Sequence, residues 1–356
     1  MEVKIVAITR SKNEQIAVLT GGGDAPGLNA VIRGLTTKAI SLGYDVLGIL
    51  DGWRGLLDDG KSTPLDLDEV EDIHMIGGTV LHTSRTNPYK VEGGVEQVKK
   101  NLKRLNCKYL IAIGGEDTLG VAAKLHKDGV SAVGVPKTID NDLSETDYTF
   151  GFDTAITRAA EAIRNLHTTA DSHHRVIVVE VMGRHSGWMT LEAGIAGGAH
   201  AILLPEEKFD IDELCKIVEN REKKGKHYTI IATSEGAMQK GGELKFKDTK
   251  VDAFGHKILG GTAEQLAKKL EEMTGKECRY VILGHLQRAG SPTAFDINLG
   301  TRLGIHAAEM IDKSEFGMMA ALHGTKIVSI PLEKAVEKLK TVPKYRIEEA
   351  KLFYEV

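Results

Sequence analysis

Residues 136 to 142 combine the groups that phosphoryl transfer requires. The run Pro136–Asp142 (PKTIDND) places Lys137, Thr138, Asp140 and Asp142 directly after an apolar segment. Moving a phosphoryl group between two oxygens needs a base near the attacking hydroxyl and cations or donors around the phosphate. Two carboxylates two residues apart leave an extended backbone on the same side, so one can face a substrate hydroxyl while the other supports it or a metal shell. The sequence Asp-Asn-Asp alone is also compatible with a polar turn.

A glycine-rich turn, Thr20–Ala30, follows a short apolar run and opens a helical segment through Arg33. Glycines such as Gly23 let backbone N–H groups approach an anion, and the helix N-terminus adds partial positive charge. The turn lacks the ending of a P-loop and the spacing of a dinucleotide fingerprint, so alone it is equally compatible with a structural role. Arg85 could pair with phosphate oxygens in bidentate geometry, although a lone arginine there is also compatible with a solvated surface charge.

The segment Gly114–Thr118 brings two adjacent carboxylates, Glu116 and Asp117, to a position where phosphates are expected. A divalent cation would relieve the repulsion, and Mg²⁺, with Glu116 as its candidate ligand, is the cation we expect. Without a metal, Asp117 or Thr118 would serve as a helix N-cap.

The composition is that of a globular protein. The 356 residues suffice for two domains, and 42% hydrophobic with 27% charged residues is typical of soluble chains. A formal net charge of -4 lacks the basic excess of nucleic-acid-binding proteins. Three cysteines without metal-ligand spacing favour a reducing cytoplasm. No apolar run has the roughly 18 residues of a membrane span, and we expect no signal peptide.

Short β-branched runs alternate with longer segments of helical periodicity, which predicts an α/β fold with mostly parallel sheets flanked by helices. The predicted strands are residues 16–19, 46–50, 109–113, 132–135, 176–181, 201–204, 228–232 and 280–283. Ligands bind beyond the carboxyl ends of such strands. Polar clusters follow five of them, at Gly114–Thr118, Lys137–Asp142, Met182–Arg184, Ser234–Gly236 and Gly284-His285.

Two further segments have open interpretations. Residues 4–9 read as a weaker copy of residues 15–20, which indicates either an extra edge strand or an irregular leader. The polar stretch 240–250 is predicted to be a surface hairpin or excursion.

Together these motifs resemble the phosphofructokinase family, over nearly the whole chain from about Ile16. The resemblance is carried, in the family's order, by Thr20–Ala30, Gly114–Thr118, Pro136–Asp142, Met182–Arg184 and Gly284–Pro292. It implies two Rossmann-like domains with the active site in the cleft between them. Residues 1–150 plus about 287–337 would form the phosphoryl-donor-binding domain. Residues 151–286 plus about 338–356 would form the sugar-phosphate-binding domain.

The resemblance implies transfer of a phosphoryl group to the 1-hydroxyl of fructose 6-phosphate, a step of glycolysis and gluconeogenesis. Asp140 is similar to the family's base, which takes the proton of the attacking hydroxyl, with Thr138 and Asp142 beside it. Arg184 is similar to the cation that stabilises the phosphoryl group in flight.

The resemblance also implies a sugar-phosphate site, formed by Thr138, Asp140, Arg175, Met182, Gly183, Arg184, Glu235, Arg279, His285 and Arg288. Met182 and Gly183 would act through the backbone, and Glu235 through a sugar hydroxyl. His285 and Arg288 would lie near the 6-phosphate. In the family's tetramers part of the arginine set reaches across from a neighbouring subunit, so a homodimer or homotetramer is implied.

The phosphoryl donor is either ATP or inorganic pyrophosphate. The resemblance implies a donor site formed by Gly23, Arg85, Asp117, Thr118 and Lys137. ATP-using members have glycine where this chain has Asp117 and Lys137, whereas pyrophosphate-using members resemble it at both positions. A carboxylate at 117 would repel the α-phosphate of a nucleotide, and a lysine at 137 suits a small, highly charged diphosphate. We therefore favour pyrophosphate, acting reversibly. Because Lys137 also occurs in ATP-using relatives of this subgroup, Asp117 carries most of the discrimination.

Three other functions are compared with this one. An ATP-dependent 6-phosphofructokinase is the nearest and differs only in its donor. NAD and lipid kinases share a glycine-glycine-acid turn but lack the segments 136–142 and 284–292. A catalytically inactive regulatory homologue would need a damaged site, yet Asp140, Asp142 and Arg184 are all present.

Overall fold

The computed structural model describes residues 12–241 and 261–354. The chain forms two compact units. The first contains the chain up to Ile139, Leu143–Asp153 and Arg288–Leu339, and the second contains Asp140–Asp142, Thr154–Gln287 and the chain from Lys340 onward. The interpretations of residues 4–9 and of nearly all of 240–250 lie outside the described residues.

Within the described ranges the strands lie where β-branched and apolar runs occur. They are β1 (Gln15–Thr20), β2 (Asp45–Ile49), β3 (Ser62–Leu65), β4 (Cys107–Gly114), β5 (Ser131–Pro136), β6 (Val176–Val181), β7 (Ala201–Leu203), β8 (Thr229–Ser234), β9 (Cys278–Ile282), β10 (Met318–His323) and β11 (Lys326–Pro331). Each of the eight predicted strands corresponds to one of these.

The helices of the described ranges alternate with most of the strands. They are α1 (Leu28–Ser41), α2 (Trp53–Leu57), α3 (Leu67–Val70), α4 (Gly94–Arg104), α5 (Glu116–Lys127), α6 (Phe152–His173), α7 (Trp188–Gly197), α8 (Ile211–Lys223), α9 (Thr262–Thr274), α10 (Ala294–Asp312), α11 (Leu332–Ala335) and α12 (Lys344–Lys351). Short 3-10 turns occur at Ile73–Met75, Pro88–Lys90 and Gly284–Arg288. No helix in the described part of the chain is both long and apolar enough to cross a bilayer.

The first unit is built on a seven-stranded sheet in the order β11-β10-β5-β4-β1-β2-β3. Its five inner strands run parallel, and the two edge strands, β11 and β3, pair antiparallel. In β1, Ile16 and Val18 belong to one buried cluster, whereas Ala17 and Leu19 belong to another. Because alternate side chains of a strand point to opposite faces, both faces of this sheet are covered.

The second unit contains a parallel four-stranded sheet in the order β7-β8-β6-β9. All six residues of β6 are buried, and Val176 and Val178 pack in one apolar cluster with residues of α8 and α9. The edge strand β7 is closed at one point by Tyr354, whose hydroxyl donates to the carbonyl of Ile202 at 2.6 Å and accepts from its N–H at 2.9 Å. This contact occupies backbone groups that an edge strand otherwise exposes.

The predicted α/β class with mostly parallel sheets is confirmed, and three strands were not predicted. These are β3, β10 and β11. The sequence of β10, MMAALH, contains methionine and alanine in place of the β-branched residues that mark strands. It pairs with β5 on one side and with β11 on the other, so neighbouring strands fix its conformation.

Candidate active site

The glycine turn after β1 lies against the first turn of α5, within the first unit. Gly21 N–H donates to Ile113 O at 2.9 Å, and Gly22 N–H donates to Ser84 O at 3.1 Å. A Cβ placed on Gly21 would lie 2.5 Å from Thr118 Oγ1, closer than real Cβ contacts. Glycine is therefore required here by close approach, and the turn brings backbone groups next to the buried Thr118.

Lys137 follows β5 and reaches the same glycine turn. Its side chain is buried, with 4% of the residue exposed, and a Cβ placed on Gly22 would lie 3.4 Å from Lys137 Nζ. Its backbone N–H donates to Gly114 O at 2.9 Å, which fixes it beside the end of β4. A buried ammonium beside a glycine turn and a helix N-terminus is an arrangement suited to a compact anion.

Glu116 and Asp117 are exposed in the first turn of α5. The N-cap of α5 is Gly115, which makes no side-chain capping bond, so the interpretation of Asp117 or Thr118 as the N-cap is wrong. In the part of the chain that the structure describes, no group of three or more histidine, cysteine or acidic side chains could hold a metal ion. Since Mg²⁺ is commonly bound by one or two carboxylates together with substrate phosphates, these two residues fit an ion shared with a phosphate ligand.

Two arginines of the first unit lie near this turn or its supporting loop. Arg85 is exposed, two residues after Thr83, whose hydroxyl donates to Gly22 O at 2.7 Å. Arg288 donates from Nη1 to Asp24 O at 3.0 Å and lies beside Gly23. The structure therefore places Arg288, which the sequence suggested for the sugar phosphate, against the glycine turn.

The aspartate segment passes from the first unit to the second between Ile139 and Asp140 and returns after Asp142. Asn141 has a φ of 50° and bends the backbone, so the expectation that Asp140 and Asp142 leave an extended segment on the same side is wrong. One carboxylate oxygen of Asp140, Oδ1, is buried.

Thr138, on the first-unit side of the crossing, is 9% exposed, and its carbonyl accepts from the hydroxyl of Thr149 at 2.8 Å. This bond fixes the backbone two residues before Asp140. The backbone of Thr138 is thus held within the first unit. The role of its side chain in the site stays a prediction.

In the second unit, the loops after β6 and β8 are joined to each other. The N–H of Glu235 donates to Val181 O at 3.0 Å, and the N–H of Gly236 donates to Gly183 O at 3.2 Å. The hydroxyl of Ser234 also donates to Gly183 O. These bonds bring Glu235 next to the loop that carries Arg184, which is half-buried with a buried Nε.

Gln287 holds the loop after β6 by contacts that the sequence interpretation did not assign. It is 1% exposed, and its Oε1 accepts from the N–H of Met182 at 3.2 Å while its Nε2 donates to Gly284 O at 3.1 Å. The N–H of Gly183 donates to Glu235. The N–H groups of Met182 and Gly183 therefore already have protein acceptors, with which a sugar hydroxyl would compete. Sugar contact through these two residues stays a prediction.

Glu235 carries a strongly perturbed carboxyl group. Burial, followed by the negative charge of Asp140, raises the pKa of Glu235 to about 7. Glu180 acts in the same direction, whereas the charge of Arg184 and the hydrogen bond from Gly183 partly offset it. Three carboxyl groups and one arginine are thus electrostatically coupled within the second unit, as expected where a proton must be held or moved near neutral pH.

This pKa shift predicts a specific pH dependence of stability. Between the usual value of 4.5 and about 7 the folded chain binds more protons at Glu235 than the unfolded chain. The contribution of Glu235 to stability therefore falls as pH rises through this range. As pH rises from about 5 to about 8, we expect the Tm of Glu235→Gln to fall less than the Tm of the wild type. The measurement is Tm at a series of pH values.

The control for this comparison is Glu219→Gln, which changes an exposed carboxyl on α8. Its Tm should follow the wild-type pH curve. If the curves of Tm against pH were parallel for the wild type and Glu235→Gln, the raised pKa of Glu235 would be contradicted.

Three predicted phosphate-binding residues lie apart from the Glu235 loop or on the surface. Arg175 precedes β6 and pairs with Glu277 at 2.7 Å, and Arg279, near the start of β9, pairs with the same carboxylate. Both lie at the amino ends of their strands, whereas the predicted residues Met182 and His285 follow the carboxyl ends of β6 and β9. His285 is exposed on the 3-10 turn after β9.

In this α/β fold, a glycine turn and a buried lysine follow parallel strands of one sheet. Carboxylates and an arginine follow parallel strands of the other. This combination is typical of phosphoryl-transfer enzymes. The protein-family model described as "Phosphofructokinase" matches residues 15–311. The chain belongs to the phosphofructokinase family, as its motifs suggested.

Similar proteins include enzymes named for either donor. A pyrophosphate--fructose 6-phosphate 1-phosphotransferase of Amycolatopsis mediterranei is 55% identical over 341 residues, 96% of this chain and 99% of that protein. An ATP-dependent 6-phosphofructokinase 3 of Streptomyces coelicolor is 51% identical over 337 residues, 94% of this chain and 98% of that protein. Overall identity therefore separates the two donors only weakly.

Among solved structures, Pichia pastoris phosphofructokinase in the T-state aligns with a TM-score of 0.80 and 31% identity. The alignment covers 91% of this chain and 35% of that chain, so this chain spans about a third of the length of the yeast protein. The likeness extends through both units of the fold.

Proposed function

We propose that this protein transfers a phosphoryl group from pyrophosphate to the 1-hydroxyl of fructose 6-phosphate, reversibly. The products are fructose 1,6-bisphosphate and inorganic phosphate, and the hydroxyl proton leaves with the base. The observation that carries the choice of donor is the exposed carboxylate of Asp117 in the first turn of α5, next to the glycine turn that the buried Lys137 also reaches. The names of relatives about 50% identical support the sugar substrate and the reaction class.

On the donor side, the ammonium of Lys137 and the backbone of Gly23 bind diphosphate oxygens. Thr118 packs against the glycine turn at Gly21, and Arg85 supplies a further cation. Glu116, with Asp117 beside it, would hold a Mg²⁺, which would supply positive charge to neutralise the diphosphate oxygens. Asp117 opposes a nucleotide because its carboxylate would face a further phosphate where ATP continues beyond its β and γ groups. An ATP-dependent enzyme is the second candidate, favoured by the relative from Streptomyces coelicolor.

On the acceptor side, Asp140 takes the proton of the attacking 1-hydroxyl, supported by Thr138 and Asp142. Arg184 places its guanidinium on the phosphoryl oxygens and stabilises their charge during transfer. Glu235 accepts a hydrogen bond from a sugar hydroxyl when ionised, and its pKa of about 7 makes this contact sensitive to pH near neutrality. His285 and Arg288 contribute to binding of the sugar phosphate.

We assign Arg175 and Arg279 to the sugar phosphate of a neighbouring copy in a homodimer or homotetramer. They lie at the amino ends of β6 and β9, whereas Met182 and Glu235 follow the carboxyl ends of β6 and β8. A six-residue strand spans about 20 Å, which is too far for both ends to contact one sugar phosphate. A cytoplasmic location accords with the three cysteines, which are unbridged and buried.

Reversibility provides a test of the reaction with this donor. Purified protein given fructose 1,6-bisphosphate, phosphate and Mg²⁺ should form pyrophosphate and fructose 6-phosphate, followed by ³¹P NMR. Because phosphate takes the place of ADP as the phosphoryl acceptor, an ATP-dependent enzyme would show no such reaction. Absence of pyrophosphate, with ATP formed from added ADP, would replace our donor by ATP.

Asp117 is the residue expected to control donor choice. Removal of its carboxylate in Asp117→Gly should admit ATP, so that kcat/KM for ATP rises by about tenfold or more, equivalent to about 1.4 kcal/mol. The measurement is the initial rate with each donor at saturating fructose 6-phosphate and Mg²⁺.

Asp212→Gly is the matched control, because Asp212 is also the second residue of a helix, α8, and is exposed. It carries the same cost of glycine in a first helical turn but belongs to the second unit, whereas the glycine turn belongs to the first. An unchanged donor preference in Asp117→Gly would show that selectivity resides elsewhere.

A further inference from the structure

A short segment before α12 contacts the aspartate segment within the second unit. The backbone N–H of Lys340 donates to Asp142 O at 2.8 Å. Its side-chain Nζ donates to Asn141 Oδ1 at 3.2 Å. Lys340 is therefore bonded to the two residues that follow Asp140, through both its backbone and its ammonium.

The same segment also contacts the loop that carries Arg184. The hydroxyl of Ser186 donates to Lys340 O at 3.0 Å. The carboxylate oxygen Oε1 of Glu206 accepts from Gly187 N–H and from Val342 N–H, both at 2.9 Å. Residues 340–342 thus join the aspartate segment and the arginine loop by separate hydrogen bonds.

Lys340 supports the left-handed backbone conformation of Asn141, which the local sequence does not stabilise by itself. Asn141 has a φ of 50°, which costs free energy for a residue other than glycine, and its side chain is buried with 2% of the residue exposed. A buried amide oxygen requires a donor, which Lys340 Nζ provides. The ammonium is itself placed 5.6 Å from the ring centroid of Trp188, at the start of α7.

We propose that Lys340 is a positioning residue for phosphoryl transfer, a role that rests on the function proposed above. Its ammonium holds Asn141 in the left-handed conformation, and its backbone ties that segment to Ser186. The direction of the Asp140 carboxylate and the placement of the Arg184 loop are thereby fixed together. Lys340 itself makes no contact with the reacting atoms in this role.

The test uses Lys340→Met, which removes the ammonium but leaves both backbone bonds. A displaced base slows the chemical step more than it weakens binding, so kcat should fall roughly 10- to 100-fold while KM for fructose 6-phosphate changes far less. Lys340→Arg, which restores a donor and a positive charge, should recover most of the lost kcat. Lys338→Met is the matched control, since Lys338 is exposed two residues earlier, and it should retain wild-type kinetics.

Each outcome separates this role from its alternatives. Wild-type kcat in Lys340→Met, with the wild type active, would overturn the positioning role and leave the proposed function intact. A fall in kcat that is matched by a lower Tm and is not recovered in Lys340→Arg would show a merely structural role. If Lys340→Met does not fold, Lys340→Ala, which also lacks a side-chain donor and keeps both backbone bonds, supports the same comparison. A wild type inactive with pyrophosphate and with ATP would overturn the proposed function, and the positioning role with it.

Discussion

Asp140→Ala is expected to lower kcat with pyrophosphate by about 10³-fold, with a much smaller change in KM for fructose 6-phosphate. The carboxylate acts on the reacting hydroxyl, so its loss removes stabilisation that exists mainly in the transition state. Asp140 also raises the pKa of Glu235, so its removal should lower that pKa toward the usual value of 4.5. Steady-state kinetics at several pH values measure both effects.

Two variants define what this result means. Asp140→Asn keeps the shape and removes the base, so it should lose nearly as much kcat as the alanine variant. Asp171→Ala removes an exposed carboxylate from α6 and should retain wild-type rates. If Asp140→Ala turned over at the wild-type rate, another group would have to take the hydroxyl proton.

The second large effect concerns the positive charge that faces the phosphoryl group. Arg184→Met should lower kcat by roughly 10²- to 10³-fold, the cost of losing one preorganised group that stabilises transition-state charge. Since Arg184 lowers the pKa of Glu235, the variant should also keep Glu235 protonated to higher pH. The acid limb of the kcat/KM profile is then expected to move upward in pH.

Lysine provides the graded comparison for this arginine. Arg184→Lys keeps the charge but cannot make a bidentate contact, so it should recover only part of the rate. Arg164→Met, which removes an exposed arginine of α6, should change neither the rate nor the pH profile. A rise in KM with unchanged kcat in Arg184→Met would make Arg184 a ground-state binding residue.

The α/β class and the positions of the polar clusters could be predicted because the parallel strands are marked clearly in the sequence. β1, β4, β5, β6 and β8 are rich in apolar residues and almost wholly buried, since both of their faces are covered. Once the strands are known, the carboxyl ends follow, and so do the loops at Lys137, Arg184 and Glu235. The family resemblance then gave these loops their expected roles.

Features that depend on distant contacts were beyond sequence reasoning. The left-handed conformation of Asn141 is supported by Lys340, which is 199 residues away in the chain. Gln287 had a signal, because it lies within the motif Gly284–Pro292, but its bond to Met182 depends on the pairing of β6 with β9. The strand β10 forms because its neighbours pair with it, and its own residues favour other conformations.

Arg288 illustrates a different limit. Its position in the Gly284–Pro292 motif suggested the sugar phosphate, yet its guanidinium donates to Asp24 O beside the glycine turn. The order of motifs in the sequence does not say whether the long side chain of Arg288 faces the sugar phosphate or the glycine turn. Its role in sugar binding stays a prediction.

The central claim is tested most directly by the initial rate of fructose 1,6-bisphosphate formation from fructose 6-phosphate and Mg²⁺, with pyrophosphate and ATP supplied separately to the purified protein. We predict turnover with pyrophosphate and a far lower rate with ATP. Turnover with ATP alone would contradict the donor assignment at Asp117 and Lys137 while leaving the family and the acceptor chemistry in place.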